Sequence, residues 1–343
     1  ELDDAVDKIQ TGQNNFSNQD IIYKGDLDKW KRLGNSLMLR VGMRLSKADA
    51  PKAELWVKKA FDKGVFTANG DNLFVKFTDK TGSIGILTNG LSENLRIGNP
   101  AAAKIGRTFF EFLKVHDDPR FTFTMGVYSD PYNFAAGDLD PAAQKGMRNG
   151  LTIQSVRTEP DYDPNAPGAQ NQYSGIRRDV YAKLDGIKML ASFAETQFLL
   201  AEAAVRNWIS SDAKELYDNG VKAAMEMLSQ YDEIATIPAN EIADYLTNYP
   251  FVGTGNFEAA IEQINTQYWA CTFLNGIETW ANWRRTGYPV LTPVDYPGNL
   301  SGSQIPRRLM YPQNERALNP DNYQAAVSRQ GKDDFMTRVW WDK

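Results

Sequence analysis

The chain has 343 residues, 42% of them hydrophobic and 24% charged, which is ample for a sizeable core. A single cysteine, Cys271, and a single histidine, His116, exclude an internal disulfide framework, a CxxC site and a histidine-rich zinc site. With 38 basic against 43 acidic side chains the net charge is −5, so the basic footprint needed to hold nucleic acid is missing.

The opening residues, Glu1-Leu2-Asp3-Asp4, have neither the basic nor the apolar region of a secretion signal. No apolar run approaches the roughly 18 residues of a membrane span. From Asp28 to Leu45, apolar residues recur as Trp30, Leu33, Leu37, Val41 and Leu45, the stripe of an amphipathic helix. Asp49-Ala50-Pro51 then reads as a helix start, and Gly64 ends a second helix over 51–63. A short connection makes the two helices antiparallel neighbours, a helical hairpin. Residues 64–100 read as loop, with a short strand near Leu73 to Phe77.

Residues 126–180 are rich in Gly, Pro, Asp, Asn and Tyr. Long loops of this aromatic content are packed rather than disordered, and long loops in compact domains tend to carry function. The stretch Ile187 to Trp208 predicts a helix, and Ser210-Ser211-Asp212 supplies caps for the next one, through Ala213, Leu216, Tyr217, Gly220 and Ala224. A third helical stretch is expected from Asn256 to Trp283. The end of the chain, 284–343, returns to loop, punctuated by Pro289, Pro293, Pro297, Pro306, Pro312 and Pro320. The fold expected is mainly α: TPR-like helical hairpins packed into an α-α superhelical body, with long loops and few short strands.

Catalytic motifs are absent: there is no GxGxxG, P-loop, GxSxG or HExxH pattern. His116 stands beside Asp117 and Asp118 without a visible nucleophile and is read as structural. Glu195 and Glu202 share one helix face, but a glycosidase needs carboxylates set across a sugar, so both are read as caps or pairs in helix packing. Arg284-Arg285-Thr286-Gly287 reads as a helix C-terminus, the arginines complementing the dipole and Gly287 ending the helix. Asp161, Asp163 and Asn165 alternate like the opening of a calcium loop, but Ala166 and Gln172 stand where such a loop needs Gly and Glu, so calcium is a weak candidate and no other metal or cofactor is expected. The binding candidates are the loop aromatics Tyr128, Tyr132, Phe134, Tyr162 and Tyr173: rings stack on the C–H faces of sugars while neighbouring amides and carboxylates bond the hydroxyls.

Taken together in order, several segments resemble the SusD/RagB family of Bacteroidetes outer-membrane lipoproteins. Asp26-Leu27-Asp28-Lys29-Trp30 with Asn35-Ser36-Leu37-Met38-Leu39-Arg40 is similar to the family's "GD…W…NSLKLR" helix. Asp118-Pro119-Arg120 resembles its "DPR" turn, and Glu195-Thr196-Gln197-Phe198-Leu199-Leu200-Ala201-Glu202-Ala203 its "E-x-x-FLLAEA" helix. Glu278-Thr279-Trp280 with Trp283-Arg284-Arg285-Thr286-Gly287 resembles "E-x-W…WRRTG", and Ile305-Pro306-Arg307-Arg308-Leu309-Met310-Tyr311-Pro312 resembles "IPRRL-x-YP".

The resemblance implies one SusD-like domain over 1–343, held at the cell surface of the outer membrane by an N-terminal lipid anchor that these residues lack. It implies capture of an oligosaccharide, without catalysis, and its delivery to a SusC-like TonB-dependent transporter. Because family members are longer, the chain is expected to be the C-terminal majority of its protein. A peptide-binding member of the same family, a glycoside-active enzyme and an intracellular TPR-type scaffold are the competing expectations.

Overall fold

The computed structural model describes residues 1–10, 16–79, 87–97, 103–130, 137–152, 154–166 and 171–343. The chain opens with α1 (Leu2–Lys8), α2 (Leu27–Arg44) and α3 (Ala50–Lys63). A strand, β1 (Leu73–Lys76), and α4 (Gly90–Ile97) lead to α5 (Arg107–Val115) and the single turn α6 (Phe121–Thr124). The long loop region carries only β2 (Met125–Gly126) and β3 (Gly175–Ile176) besides short 3-10 turns, and ends at α7 (Arg178–Tyr181). Strand β4 (Ile187–Ala191) then precedes α8 (Phe193–Val205), α9 (Ala213–Glu226), α10 (Leu228–Tyr231) and α11 (Ala239–Asn248). The last helices are α12 (Phe257–Cys271), α13 (Gly276–Thr286), α14 (Gln313–Leu318) and α15 (Pro320–Gln330).

The helix starts follow local chemistry. Asp26, Asp49 and Asn256 each accept the amide of the residue three positions on, at 3.0, 3.1 and 3.2 Å. Ser192 and Glu195 form a reciprocal capping box, Ser192 N donating to Glu195 Oε2 at 2.7 Å and Glu195 N to Ser192 Oγ at 3.2 Å. Such a cap contributes about 1 kcal/mol to its helix. Gly287 stops α13 in the left-handed conformation that glycine adopts freely, at φ 86°.

The most extensive helix contacts are α8 with α9, α2 with α3 and α12 with α8. Every residue of α8 from Ala194 to Val205 is buried, so this helix is the centre of the body rather than an amphipathic wall. Phe198 is fully buried there, and Gly220 of α9 lets the two axes close: a Cβ at Gly220 would sit 2.6 Å from Phe198 Cε1. Leu39 and Met43 of α2 are wholly buried, as are Ala53, Val57 and Ala60 of α3, all in the same core cluster. Helical hairpins are therefore the unit of the fold, as expected.

Two stretches read as loop carry helices, α4 within 64–100 and α14 and α15 within 284–343, and two further element boundaries differ from the sequence reading. The first five residues of the expected helix 187–208 form β4, which pairs antiparallel with β1, Lys76 opposite Ile187 and Phe74 opposite Met189. Their burial alternates, with Ile187, Met189 and Ala191 inward, so the period is 2 and the strand ends at the Ser192 cap. The stretch 256–283 is likewise two helices, broken between Cys271 and Gly276, where Leu274 has φ 67°.

Candidate functional site

Most charged residues of the quoted motifs after residue 100 lie in the core, among them Asp118, Arg120, Glu195, Glu202, Glu278 and Arg285. Arg285 and Glu202 are 1% and 0% exposed and form a two-point pair, Nη1 to Oε1 at 2.6 Å and Nη2 to Oε2 at 2.7 Å. Asn265 and Asn282 complete the shell: Asn265 donates to Glu202 at 3.2 Å, and Arg285 Nη2 donates to Asn282 at 2.8 Å. Burial pushes the Glu202 carboxyl up, but Arg285, with help from Arg206 and Asn265, more than offsets it and holds it at about 2. Arg285 stands in the last turn of α13 before Gly287, as read from sequence, but its charge is committed to a core ion pair and not only to the helix dipole. Glu195 and Glu202, two turns apart on α8, meet α2 and α13 respectively.

Glu195 and Glu278 share a second network. Arg40 Nη2 donates to Glu195 at 3.0 Å, Arg44 Nη2 to Glu278 Oε1 at 2.7 Å, and Tyr268 Oη to Glu278 at 2.8 Å. Burial raises the Glu195 carboxyl against the opposition of Arg40, and the neighbouring Glu278 charge adds to the rise. Burial acts the same way on Glu278, but Arg44 and Arg40 outweigh it and hold that carboxyl low. Glu278 thus pairs with α2 and not with the arginines six and seven positions later. None of these three carboxylates opens onto a cleft, and each is committed to a guanidinium.

The "DPR" and "IPRRL" segments behave alike. Asp118 takes two bonds from Arg120, at 2.9 and 2.5 Å. Arg307 is bonded to the buried Asp342 carboxylate, Arg308 Nη2 lies 3.5 Å from Asp333, and Trp280 Nε1 donates to Pro306 O at 2.9 Å. His116 Nδ1 bonds Phe112 O at 2.7 Å, and its ring packs between Phe112 and Tyr249, the structural role expected.

The principal surface cleft lies where two loops meet over α5. It has a volume of about 630 Å³, within the usual range of a small-ligand site. Arg107, Thr108 and Glu111 form its floor, 148–152 with Ser155 one wall, and 292–297 the other. The first wall is pressed onto α5 at Gly146, where a Cβ would lie 2.6 Å from Phe110 Cβ and 2.7 Å from Arg107 Cα. The two walls touch at Gly150, φ +83°, where a Cβ would lie 2.2 Å from Val294 Cγ1.

Polar groups in the cleft are held from behind. Arg107 bridges Glu159, at 3.3 Å, and Asp161, at 3.1 Å, and Arg148 Nη2 donates to Glu159 at 2.7 Å. That bond to Glu159 raises the Arg148 pKa. Thr152 and Ser155 cap each other, Thr152 N donating to Ser155 Oγ at 2.8 Å and Ser155 N to Thr152 Oγ1 at 3.0 Å. On the far wall, Ser303 Oγ donates to Asp295 at 2.6 Å and Asn299 Nδ2 to Val294 O at 3.2 Å. Tyr296, between Pro293 and Pro297, leaves 47% of its surface exposed. The cleft therefore offers one open aromatic face, two guanidinium groups, and an amide and a hydroxyl from Asn149 and Thr152. Side chains of these types are chemically able to stack on a sugar ring and to hydrogen-bond its hydroxyls.

The candidates read from sequence occupy the same loop region in different roles. Tyr128 is buried, its hydroxyl accepting from Arg178 N at 2.9 Å and its ring facing the Arg178 guanidinium at 4.0 Å. Burial raises its pKa. Tyr173 is wholly buried and donates to Asp161 Oδ1 at 3.1 Å; burial, then Asp161, pushes its pKa up to about 12. It therefore stands behind Asp161 and Arg107 rather than in the cleft. Tyr162 is half-buried against Met147, Val156 and Tyr173. Tyr132 and Phe134 lie outside the described residues. Of the calcium candidates, Asp161 is engaged by Arg107 and Tyr173, and Asp163 Oδ1 accepts Asn165 N at 2.8 Å in an Asx turn. Among the described residues no three His, Cys, Asp or Glu side chains gather as a metal site requires.

The lining residues Arg107, Arg148, Thr152 and Tyr296 were not singled out from sequence. The one available signal was the aromatic flanked by prolines, Pro293 to Pro297, in a long loop.

A mostly helical body with a loop-built, polar and aromatic cleft defines a binding protein of the helical-hairpin class. Residues 1–312 match the SusD-like family described as "Starch-binding associating with outer membrane", and the chain belongs to that family. Among solved structures it is similar to a chitin-binding protein, at 32% identity and a TM-score of 0.83, over 100% of this chain and 70% of that one. It is also similar to a SusD-like protein of Bacteroidetes AC2a, at 27% and 0.85, over 100% and 75%. A chitin-binding SusD homologue from Flavobacterium johnsoniae matches at 26% and 0.77, over 100% and 70%. No curated protein is found to match the sequence. Among the described residues no helix is long and apolar enough to cross a membrane.

Proposed function

We propose that this protein is a non-catalytic, lipid-anchored binding protein of the outer-membrane surface that captures a chitin-type oligosaccharide and passes it to a SusC-like TonB-dependent transporter. The observation that carries the ligand class is the likeness, over the whole of this chain, to two proteins described as chitin-binding. The cleft over α5 is the site we assign to it. Tyr296 stacks on a sugar face, and Arg148, Asn149 and Thr152 bond hydroxyl and acetamido oxygens. Tyr162, Tyr132 and Phe134 are proposed as further sugar contacts, while Tyr128 and Tyr173 act by fixing the loop from behind. The commitment of Glu195, Glu202 and Glu278 to buried guanidinium groups supports the absence of glycoside hydrolysis.

Calorimetry with N-acetylglucosamine oligomers and with malto-oligosaccharides tests the ligand class. Saturable heat with the first and none with the second is expected. Binding of malto-oligosaccharides alone would replace chitin by a starch-type ligand. Chromatography of the incubated oligomers should show no shortened products. Affinity capture of the full-length tagged protein from detergent-solubilised outer membranes should bring down a TonB-dependent transporter, and its absence would refute the delivery step.

A further inference from the structure

A second polar pocket lies inside the body, independent of the surface cleft. It is lined by Arg120, Thr124, Tyr181, Tyr231 and Cys271 together with apolar side chains from α5, α9, α10 and α12. Arg120, only 4% exposed, uses Nε and Nη2 on the Asp118 carboxylate, and Nη2 also on Gln267 Oε1 at 2.9 Å. Its remaining nitrogen, Nη1, is buried and has no protein partner. Asp118 and Gln267 take Nε and Nη2, so Nη1 alone is left without a protein acceptor in a residue that lines the pocket. A buried arginine N–H without an acceptor carries its full desolvation cost, so a stable fold supplies one.

The pocket gives about 20 Å³ to the centre of a water-sized sphere. Space that admits the centre of a water-sized sphere has room for a water molecule, which also needs two to four polar partners. Partners are present. Thr124 Oγ1 donates to Arg120 O at 2.7 Å and keeps lone pairs to accept, and Tyr181 lines the same pocket. Cys271 Sγ donates to Tyr268 O at 3.2 Å and adds a weak acceptor. The local charge is balanced, because Asp118 neutralises Arg120. A neutral occupant fits that balance and an anion does not.

We infer that the pocket beneath Arg120 holds one internal water molecule, which accepts from Arg120 Nη1 and ties the turn at α6 to α7, α10 and α12. It would act as a structural member of the core, joining the "DPR" turn to the helical frame.

The test is a crystal structure of the protein at a resolution that shows ordered water, with a second crystal soaked in bromide. A single density peak about 2.7–3.2 Å from Arg120 Nη1, without a bromide anomalous signal, is the expected result. A bromide peak would make the site an anion site and overturn the inference. So would Nη1 bonded directly to a protein oxygen with no density in the pocket. In solution, Cys271→Leu fills the pocket and should lower Tm by several degrees, whereas Cys271→Ser, which keeps the volume and adds a better partner, should leave Tm near the parent value. If both variants melt with the parent, the water contributes nothing to the core and its proposed role is wrong.

Discussion

The helical frame and the loop region over α5 use charge in opposite ways. In the frame, Arg40, Arg44 and Arg285 come from α2 and α13, their carboxylates Glu195 and Glu202 from α8, and Glu278 from α13. These partners lie 83 to 234 positions apart along the chain and are almost wholly buried. In the loop region, Arg148 pairs with Glu159 eleven positions on, Thr152 with Ser155 three on, and Arg148 keeps 60% of its side chain exposed. Long-range buried pairs fix which helices meet. Short-range exposed pairs fix the shape of a loop and leave hydrogen-bonding capacity free for a ligand. The recurring sequence motifs belong to the first kind, so they report the fold and say little about the ligand.

The contrast is sharpest under truncation. Arg285→Ala or Glu202→Ala leaves an unpaired ion in the core and should cost about 3–5 kcal/mol in urea unfolding, enough to approach the stability of the whole domain. Arg148→Ala should change stability by less than about 1 kcal/mol, because the arginine is largely exposed and the buried Glu159 keeps its second partner, Arg107. Equal losses from the two changes would erase the distinction.

Acid should separate the regions as well. The Glu202 pKa falls from an unfolded value near 4.5 to about 2 in the fold. Its stabilising effect is therefore complete above the unfolded value and is lost as pH falls from about 4.5 towards 2. That loss is on the order of 3 kcal/mol. Thermal unfolding followed between pH 6 and pH 2 should show a steep fall in Tm over this window, and Glu202→Gln, already destabilised, should show a shallower one. A variant with the parent's slope would assign the acid sensitivity elsewhere.

Packing of the first cleft wall comes next in size. Gly146→Ala forces a Cβ against Phe110 and the Arg107 backbone, at a cost of about 1–3 kcal/mol. Denaturant unfolding measures it, and a neutral result would mean that the wall is not seated on α5 as described. The smallest effect concerns binding. Tyr296→Ala removes one stacking face and should weaken oligosaccharide binding about tenfold by calorimetry with no change in Tm, since about 1.4 kcal/mol corresponds to that factor. An unchanged affinity would move the site out of this cleft.

Much of the frame was legible in the sequence, because helix starts and stops are local events. Asp26, Asp49, Asp212 and Gly287 each signal a terminus through their own hydrogen bond or φ angle. The family's ordered motifs placed the same helices. The strand Ile187–Ala191 was missed because five alternating residues abut a strongly apolar helix, and its partner β1 lies more than a hundred positions earlier. The partners of Glu195 and Glu278 were equally hidden, since a side chain's i, i+7 position names a face but not the helix across from it. The cleft was the least legible feature. Its walls come from 148–152 and 292–297, and only the folded frame brings them together. The loop aromatics fall in the chain segment that also supplies one wall of the cleft, yet burial of Tyr128 and Tyr173 depends on contacts that composition does not encode.

The contact between Gly150 and Val294 has a practical consequence. The two walls meet at a place where one side has no side chain at all and the other has two methyl groups. The width of the opening is therefore governed separately from the chemistry that lines it. Trimming Val294 to alanine would let the walls draw together, and a bulkier residue there would wedge them apart, while Arg148, Asn149, Thr152 and Tyr296 stay as they are. Under the function proposed above, the bulk of ligand the cleft admits would then be set by one apolar substitution, apart from the polar groups that line it.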